Sequence, residues 1–443
     1  MDLHLKKSVE NPTSQLDKSR RKDFEVCGLT GYFGDTRVLK DFELEFSKIG
    51  HRGPDNSRIR HIGEGATLAF HRLSIMDTSG NGHQPFTNSD EMVHLICNGE
   101  IYNSADLRQS LCADYKFSSE SDCEVIVPLY EKFGIEKTVQ FLDAEFALVI
   151  YDKGLNKLFA ARDAMGIRPL FFGYTRLENK IIFSSEAKGI TSLCANVKPF
   201  PPGHYYDGAG NFICFRDVTK VNPLFPGNEN LILKGIREKL VEGVKKRLIS
   251  QVPVGFLLSG GVDSSLVCSI ASRISDRPIT TFAVGIDKNP IDTHYARVVA
   301  DFLGSEHHEV IFTEKQTIDI LPMLIYHLET WDITTIRAAI GMFFVSEYVR
   351  QNTSIKVLLT GEVSDELFGY KYTDFAPSAS EFQNEAVKRI KEIYMYDVLR
   401  ADRSISAHGL ESRVPLRIRF SFPGNSGLTF VTSRKQIKFP APS

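Results

Sequence analysis

The first half of the chain alternates short apolar runs with polar turn residues, which is typical of antiparallel β-structure. From Cys27 to about Asp217, runs such as EFALVIYD and KIIFSSE are separated by Gly, Asn and Asp. One segment among them, SDCEVIVPLYEKFG, has helical spacing, and we expect its helix to begin at a Ser/Asp cap and to end at Gly134. Many strands with few helices predict an α+β layered domain over residues 27–217.

The second half alternates apolar strand patterns with helical ones. Residues 218–230, VTKVNPLFPGNEN, are rich in Pro, Asn and Gly and predict a linker. A helical pattern follows, and then the apolar runs VPVGFLL and ITTFAVGI, each followed by a helical stretch. Such alternation predicts a parallel α/β sheet over residues 231–415. Two unlike domains are therefore expected, with a polar extension over residues 1–26 before them and an atypical tail over residues 416–443 after them.

Charge and composition narrow the class of protein without identifying it. The 443 residues include 53 Lys and Arg and 55 Asp and Glu, which gives a net charge of −2 and argues against a basic nucleic-acid-binding surface. No apolar run approaches the roughly 18 residues of a membrane span, and the N-terminus lacks the apolar core of a signal peptide. Seven scattered cysteines without a C-x-x-C pair favour a reducing compartment. We therefore expect a cytoplasmic enzyme that binds neither nucleic acid nor membrane.

The first candidate for chemistry is Cys27, which opens the Gly-rich segment CGLTGYFG. The segments HRGPD, HRLSI, NGEIYN and SDCE follow it in that order. Together they supply a nucleophile, a guanidinium for a carboxylate, amide donors for an oxyanion and an acid for an ammonium group. Each segment alone is a weak signal, since a cysteine beside glycine on a strand is most often core and NGE is most often a turn.

The order of these segments resembles the glutaminase domain of class II glutamine amidotransferases, in the N-terminal nucleophile hydrolase superfamily. The similarity continues through RDAMGIRPLFFGY, SSEAKG and PPGHYY. It implies a four-layer αββα sandwich in which Cys27 attacks the side-chain amide of L-glutamine. The implied pocket has Arg72 for the carboxylate, Asp122 for the ammonium group, Asn98 and Gly99 for the oxyanion hole, and Glu100 for the substrate amine.

The position of Cys27 departs from that family. There the cysteine is the first residue of the mature chain, and its own α-amino group, with a pKa of ~8, takes the thiol proton. Here 26 residues precede Cys27, and a peptide nitrogen cannot act as that base. The sequence therefore predicts little glutaminase activity unless the bond between Val26 and Cys27 is cleaved.

A second motif, SGGVDSS at residues 259–265, stands between an apolar strand pattern and a helical one. Its glycines would let the backbone approach an anion, and the helix N-terminus would offer unpaired N–H groups with a positive dipole end. The serines add hydroxyl donors, and Asp263 can hold Mg²⁺ beside phosphates. The chain has no G-x-x-x-x-G-K-[ST] sequence, so this is not a Walker A loop.

This motif resembles the PP-loop of ATP pyrophosphatases, which cleave ATP between the α and β phosphates and adenylate carboxylates. The segment FAVGID (282–287) is similar to the adenine-side strand. With ETWDITTIRA, TGEVSDELFGY and YDVLRADRSISAHGLESRVP, the two halves resemble glutamine-hydrolysing asparagine synthetases over about residues 27–415. The resemblance implies that ATP and pyrophosphate are bound by Leu258, Ser259, Gly260, Gly261, Asp263, Ser264, Ser265, Val284, Gly361 and Asp365.

The resemblance also implies the reaction. L-aspartate is adenylated by ATP, ammonia then attacks β-aspartyl-AMP, and AMP and pyrophosphate are released. Glu362 would act as acid/base in the second step, and Asp263 and Asp365 would share Mg²⁺. A loop for aspartate and phosphate would comprise Thr334, Thr335 and Arg337. The implied partners are L-aspartate, L-glutamine and ATP, with a homodimer as the suggested assembly.

Three features depart from the family. Its loop Gly-Glu-Gly-Ser-Asp-Glu has Val363 as the third residue here, and a β-branched side chain is strained if that position needs a positive φ. AIGM (339–342) replaces Ser-Thr-Pro-Met. The tail after SRVP has no sustained helical period, which predicts exposed apolar surface on the second domain. Two alternatives stay open: an impaired or truncated relative that binds only glutamine or a partner, and a related amidating or β-lactam-forming synthetase.

Overall fold

The computed structural model describes residues 27–34, 39–53, 55–220, 228–288, 290–370, 373, 375–416, 421–422 and 425–426. The expected polar extension over residues 1–26 lies outside the described residues, as do residues 221–227 of the expected linker and most of the expected tail. Within the described part, the chain forms two domains of different architecture. None of the helices in that part combines the length and apolarity that a membrane span requires.

Two antiparallel sheets of six strands each form the first domain. In spatial order, the first sheet contains β10 (Cys194–Pro199), β8 (Phe171–Thr175), β9 (Ile181–Ser184), β1 (Gly28–Tyr32), β3 (Ala66–Arg72) and β2 (Asn56–Ile62). The second sheet contains β12 (Phe212–Cys214), β11 (His204–Tyr206), β7 (Lys157–Arg162), β6 (Ala144–Asp152), β5 (Val93–Ile101) and β4 (Phe86–Thr87). The longest pairing joins β5 to β6, from Val93 opposite Asp152 to Ile101 opposite Ala144.

Apolar side chains on both faces of these sheets produce four layers. The cluster between the sheets includes Leu29, Leu68, Phe70, Ile96 and Val149. Helix α1 (Phe42–Ser47) packs on the outer face of the first sheet, and α2 (Ser104–Leu111) and α3 (Ile126–Phe141) pack on the outer face of the second. The αββα sandwich that the family resemblance implies is therefore confirmed.

The helix predicted over SDCEVIVPLYEKFG differs from expectation at its start, and a second helical segment follows its end. Residues Asp122–Val125 form a 3₁₀ turn, and α3 then continues beyond Gly134 to Phe141. Gly134 takes a φ of +70°, which interrupts the helical backbone at little cost because glycine has no Cβ. Helical structure resumes because Ile135 and Val139 continue to pack into the domain core. The backbone of Gly134 therefore ends the first helical segment, as the sequence predicts, and a second segment follows it directly.

A parallel sheet of five strands forms the second domain. In spatial order it contains β15 (Glu306–Phe312), β14 (Thr280–Ile286), β13 (Val254–Leu257), β16 (Val357–Leu359) and β17 (Glu411–Arg413), with every neighbouring pair parallel. Its helices are α4 (Glu229–Arg247), α5 (Val262–Ile274), α6 (Ile291–Leu303), α7 (Glu314–Leu328), α8 (Ile333–Asn352), α9 (Ser364–Phe368), α10 (Ala379–Glu392) and α11 (Asp397–Ser406). The predicted parallel α/β sheet is confirmed. A two-residue strand pair, β18 (Ser421–Phe422) with β19 (Asn425–Ser426), follows.

Helix α6 of the second domain carries apolar side chains on its exposed side. Ile291, Tyr295, Val298 and Phe302 share one face, because their spacing matches the helical repeat. Their exposed fractions lie between 54% for Ile291 and 84% for Phe302. The expected exposure of apolar surface on this domain is therefore observed on α6.

The two domains share one buried apolar core. Residues of the first domain, Leu73, Ile75, Met165 and Ile167, join residues of the second, among them Phe256, Leu258, Val267, Leu359 and Val363. Cys27 packs against this cluster, while Leu258 and Val363 belong to it. One continuous core therefore connects the two predicted sites.

Candidate functional site

Cys27 directly precedes β1 and lies partly buried between the domains. Its Sγ accepts a hydrogen bond from the Leu73 N–H at 3.2 Å, and Arg52 Nε donates to its carbonyl oxygen at 3.1 Å. Among the described residues, the hydrogen-bond partners of the thiol are backbone atoms of Leu73, so no side chain there accepts the thiol proton. Burial raises the pKa of the thiol to about 12. Burial therefore favours the neutral form of this thiol.

Arg72 ends β3 and is fixed by the loop that follows. Its Nη1 donates to the Ser79 carbonyl at 2.7 Å and to His83 Nδ1 at 3.0 Å, and its Nη2 donates to the Asp77 carbonyl. A Cβ at Gly82 would lie 2.1 Å from Arg72 Nη2, so the loop needs glycine there. The guanidinium charge acts on Cys27 and opposes the effect of burial on the thiol pKa. Arg72 is therefore close enough to Cys27 to belong to the same site.

Asn98 and Gly99 lie on β5, opposite Ala147 and Phe146 of β6. The Asn98 side chain is 1% exposed, and its Nδ2 has no hydrogen-bond partner among the described residues. A buried donor without a partner costs about 1–3 kcal/mol, so this amide is available to an oxyanion. A Cβ at Gly99 would lie 2.4 Å from the Glu145 carbonyl oxygen, which excludes a larger residue.

Glu100 and Asp122 add two carboxylates to this pocket. Asp122 Oδ2 accepts a hydrogen bond from the Ile101 N–H at 2.6 Å, and Arg413 Nη2 lies 2.8 Å from Glu100 Oε2. Burial raises the pKa of Asp122 to about 6 and raises the pKa of Glu100 well above its ordinary value. An ammonium group bound between the two would favour both ionised forms.

The SGGVDSS segment connects β13 to α5, so its backbone N–H groups gather at a helix N-terminus. Gly260 has a φ of +78°, and a Cβ there would lie 2.5 Å from the Tyr295 backbone, so only glycine fits. The Ser264 hydroxyl accepts a hydrogen bond from the Ser259 N–H at 3.1 Å and lies 3.0 Å from the Ser259 hydroxyl. Hydrogen bonds between its own serines therefore close the loop.

A cavity of about 700 Å³ lies at the carboxyl ends of β13 and β14, where open α/β sheets bind ligands. The predicted site residues that line it are Leu258, Ser259, Gly261, Asp263, Ser264, Val284, Arg337, Gly361, Glu362 and Asp365. Gly260 and Ser265 are not on its wall. Gly260 packs against Tyr295, and Ser265 Oγ is buried without a hydrogen-bond partner among the described residues.

The charged groups that line this cavity are the carboxylates of Asp263, Asp292, Glu362 and Asp365 and the guanidinium groups of Arg337 and Arg400. Ser364 Oγ donates to Asp263 Oδ1 at 2.5 Å, and Arg400 Nη2 donates to Glu362 Oε2 at 2.5 Å. Burial, together with the charges of Asp263 and Glu362, raises the pKa of Asp365 to about 6. Burial also raises the pKa of Glu362, and Arg400 opposes that shift. The wall therefore carries an excess of negative charge that a bound cation would neutralise.

Comparison with known proteins assigns the two halves to two families. Residues 26–223 match the family described as glutamine amidotransferase domain, and residues 235–385 match the family described as asparagine synthase. The glutamine-hydrolyzing asparagine synthetase of Triphysaria versicolor is 40% identical over 411 residues, covering 88% of this chain and 68% of that relative. The enzyme of that name from Mus musculus is 39% identical over 431 residues, covering 89% and 76%. A probable asparagine synthetase of Dictyostelium discoideum is 42% identical over 390 residues, covering 83% and 69%.

The chain belongs to the glutamine-hydrolysing asparagine synthetase family. The resemblance that the motifs indicate is thereby confirmed over both halves.

Val363, which replaces the family's glycine in the loop Gly-Glu-Gly-Ser-Asp-Glu, adopts a positive φ in this member of the asparagine synthetase family. Its φ is +78° and its ψ is −11°, and it directly precedes α9. A β-branched residue in this left-handed region is strained by roughly 1–3 kcal/mol. Its side chain is 2% exposed and packs in the core between the domains. Buried packing thus holds a strained residue beside Glu362 and Asp365.

Thr334 and Thr335 do not line the 700 Å³ cavity, unlike Arg337. They begin α8, where Asp332 Oδ1 accepts a hydrogen bond from the Thr335 N–H at 2.7 Å and caps the helix. Both threonines line a neighbouring cavity of about 280 Å³. Arg400 lines both cavities of this synthetase, so the two cavities are adjacent and share the Arg400 guanidinium group.

The sequence motifs assign no role to two arginines that reach the sites of this family member. Arg400 in YDVLRADRS pairs with Glu362, and Arg413 in ESRVP pairs with Glu100. Both arginines lie in segments that carry the family resemblance, so the sequence did contain a signal that could have marked them as site residues. The motifs do not show which carboxylate each guanidinium meets, because the partners are distant along the chain.

Proposed function

We propose that this chain converts L-aspartate to L-asparagine with ATP, using ammonia from the hydrolysis of L-glutamine. The observation that carries the proposal is the presence of both sets of site residues on one chain, joined by a buried core, in a member of this synthetase family. A glutaminase alone would not need the ATP cavity, and an ammonia-using ligase would not need Cys27 and its pocket.

At the first site, after cleavage between Val26 and Cys27, the free α-amino group of Cys27 takes the thiol proton, and the sulfur attacks the side-chain amide carbon of glutamine. The carbonyl oxygen becomes an oxyanion, which Asn98 Nδ2 and the Gly99 N–H stabilise. The same proton is then passed to the leaving nitrogen. The C–N bond breaks, ammonia leaves, and water hydrolyses the thioester to give glutamate and the thiol. The substrate is held by Arg72, Glu100 and Asp122.

At the second site, a β-carboxylate oxygen of aspartate attacks the α-phosphorus of ATP, and pyrophosphate leaves. The hydroxyls and N–H groups of the SGGVDSS loop bind the phosphates. Ammonia then attacks the β-carbonyl carbon of β-aspartyl-AMP, Glu362 takes a proton from the attacking nitrogen, and AMP leaves. Because Arg400 pairs with Glu362, it favours the ionised form that acts as a base.

Asp263 and Asp365 would hold Mg²⁺, which neutralises charge on pyrophosphate when it is bound. Both carboxylates line the ATP cavity, and neither forms an ion pair with a basic side chain among the described residues. The described part of the chain has no group of three or more His, Cys, Asp or Glu arranged for a metal. Two carboxylates completed by phosphate and water oxygens suit Mg²⁺, which is seldom held by an all-protein cage.

A cytoplasmic location and a homodimeric assembly complete the proposal. The location follows from the charge balance and the scattered cysteines, and the assembly follows from the family resemblance. Cell fractionation tests the first, and light scattering of the purified chain tests the second.

The deciding experiment measures pyrophosphate release that depends on aspartate, with glutamine and separately with ammonium as the nitrogen donor. We expect pyrophosphate and asparagine in equal amounts with ammonium, and no release when L-glutamate replaces L-aspartate. Pyrophosphate release without asparagine, or equal release with another acid, would contradict the proposed reaction.

A further inference from the structure

Arg413 belongs to the second domain but contacts the glutamine pocket of the first. It lies on β17, which pairs with β16, and its side chain is fully buried. Its Nε donates to Glu411 Oε1 at 2.7 Å, and its Nη1 donates to the Arg247 carbonyl at 3.0 Å. The remaining nitrogen, Nη2, lies 2.8 Å from Glu100 Oε2. The guanidinium is therefore anchored in one domain and directed at an acid of the other.

Glu100 is surrounded by more acids than bases. The charged and titratable groups that face it are Arg413, Arg168, Asp122, Glu411, Tyr102 and Cys123. Burial raises the pKa of Glu100, the charges of Asp122 and Glu411 raise it further, and Arg413 opposes these effects most strongly. Arg168 opposes them less, and it already lies 3.2 Å from Glu411. Without Arg413, Glu100 would lose the stronger of the two positive charges that favour its ionised form.

We infer, on the basis of the proposed function, that Arg413 is a positioning residue for glutamine, whose contact with Glu100 makes binding of the substrate α-amino group depend on the second domain. Arg413 acts through Glu100: a carboxylate attracts an ammonium group, and a neutral carboxylic acid does so far less. The affinity of the Cys27 pocket for glutamine then requires β17 to be in place.

Another buried arginine supplies a matched control. Arg403 of α11 is also fully buried in the domain interface and pairs with Glu186 and, at 2.9 Å, with Glu329. Among the described residues it makes no contact with Glu100 or Asp122. Changing Arg403 therefore perturbs the same interface without touching the acids of the glutamine pocket.

The test measures glutamine binding by calorimetry in full-length Cys27→Ala chains, in which turnover and thiol ionisation play no part. We expect Arg413→Met to weaken binding about tenfold or more, because a charge-assisted contact is lost. Arg413→Lys, which keeps the charge, should fall between Arg413→Met and the parent. Arg403→Lys should bind glutamine as the parent does.

The pH dependence separates loss of charge from loss of structure. Without Arg413 the pKa of Glu100 rises further, so the acid is neutral below that pKa and ionised above it. The deficit of Arg413→Met should therefore shrink as the pH is raised through that pKa. Glutaramate, which keeps the amide and the carboxylate but lacks the α-amino group, should bind the parent and Arg413→Met equally. In a Glu100→Gln chain, Arg413→Met should cause no further loss.

Equal glutamine affinity in the parent and Arg413→Met would overturn the inference and leave the proposed function standing. A loss that is the same for glutaramate and constant with pH would also overturn it, because that is the result of a damaged fold. Absence of glutamine binding in the Cys27→Ala parent would instead contradict the proposed function.

Discussion

The glutamine pocket and the ATP cavity of this chain are built from different kinds of structure. The pocket takes Asn98, Gly99 and Glu100 from one strand, β5, whose backbone is fixed by continuous pairing with β6. The cavity takes its residues from strand ends and helix N-termini, where Gly260 and Val363 both have positive φ. Strand pairing fixes side-chain positions, whereas the cavity depends on backbone conformations that carry an energetic cost.

The two sites are also limited by different factors. In the pocket, the side chains are in place but the Cys27 thiol is neutral and has no base among the described residues. In the cavity, the charged groups are in place but Val363 is strained beside them. We therefore expect protonation of the thiol to limit the first site and backbone strain to limit the second.

Replacing the nucleophile should separate the two sites most sharply. Cys27→Ala should abolish asparagine formation from glutamine and leave ammonium-dependent formation unchanged, because the second site does not use the thiol. Cys112→Ala, at an exposed cysteine, is the control and should keep both activities. Loss of both activities in a folded Cys27→Ala chain would show that the sites are not separable.

Asp263→Asn should affect both nitrogen donors alike. The substitution removes a carboxylate that would hold Mg²⁺ beside the leaving pyrophosphate, so we expect pyrophosphate release to fall by about 10²-fold or more. Asp301→Asn, at an exposed position on α6, is the matched control. Unchanged release in Asp263→Asn, measured with ammonium at saturating ATP, would remove this residue from the site.

Cleavage between Val26 and Cys27 should relieve the limitation of the glutamine pocket alone. It frees an α-amino group with a pKa of ~8 to take the thiol proton, and general bases contribute about 10²–10⁴-fold. Glutamate release before and after cleavage, with mass spectrometry of the N-terminus, measures the effect. The ammonium-dependent rate should not change. Full glutamine turnover by chains that still carry Met1 would require another base.

Val363→Gly should give the smallest change in activity, and only the synthetase reaction at the ATP cavity should change. Glycine adopts a φ of +78° without strain, which removes roughly 1–3 kcal/mol of strain, but it also removes a buried side chain that contributes about 1–2 kcal/mol. We expect little change in the free energy of unfolding and a several-fold rise in synthetase rate, since the strained loop carries Glu362 and Asp365.

Val363→Ala provides the control for this substitution. Alanine loses the same packing without gaining the conformational freedom of glycine, so it should be less stable than the parent and no faster. If Val363→Gly shows no gain over the parent at saturating ATP, the loop has adapted to valine and strain does not limit the cavity.

The sequence by itself determined the local structure and most of the site. Short apolar runs between turn residues predicted the strands around EFALVIYD, strand–helix alternation predicted the parallel sheet, and the motifs pointed to Cys27, Asn98, Gly99 and the SGGVDSS loop. These features are local, because they depend on residues within one turn or one strand. The predicted constraint at Val363 was also local, since φ is a property of one residue.

Only the tertiary structure decided how distant residues combine. The pairing of Glu100 with Arg413 joins two domains, and no local pattern encodes which carboxylate a guanidinium will meet. Thr334 and Thr335 line a neighbouring cavity because the helix cap at Asp332 sets the start of α8. Helical structure resumes after Gly134 because Ile135 and Val139 pack in the core of the first domain. In each case, local sequence preference allows several arrangements of similar free energy. Burial and charge pairing between residues that are distant along the chain then decide which arrangement forms.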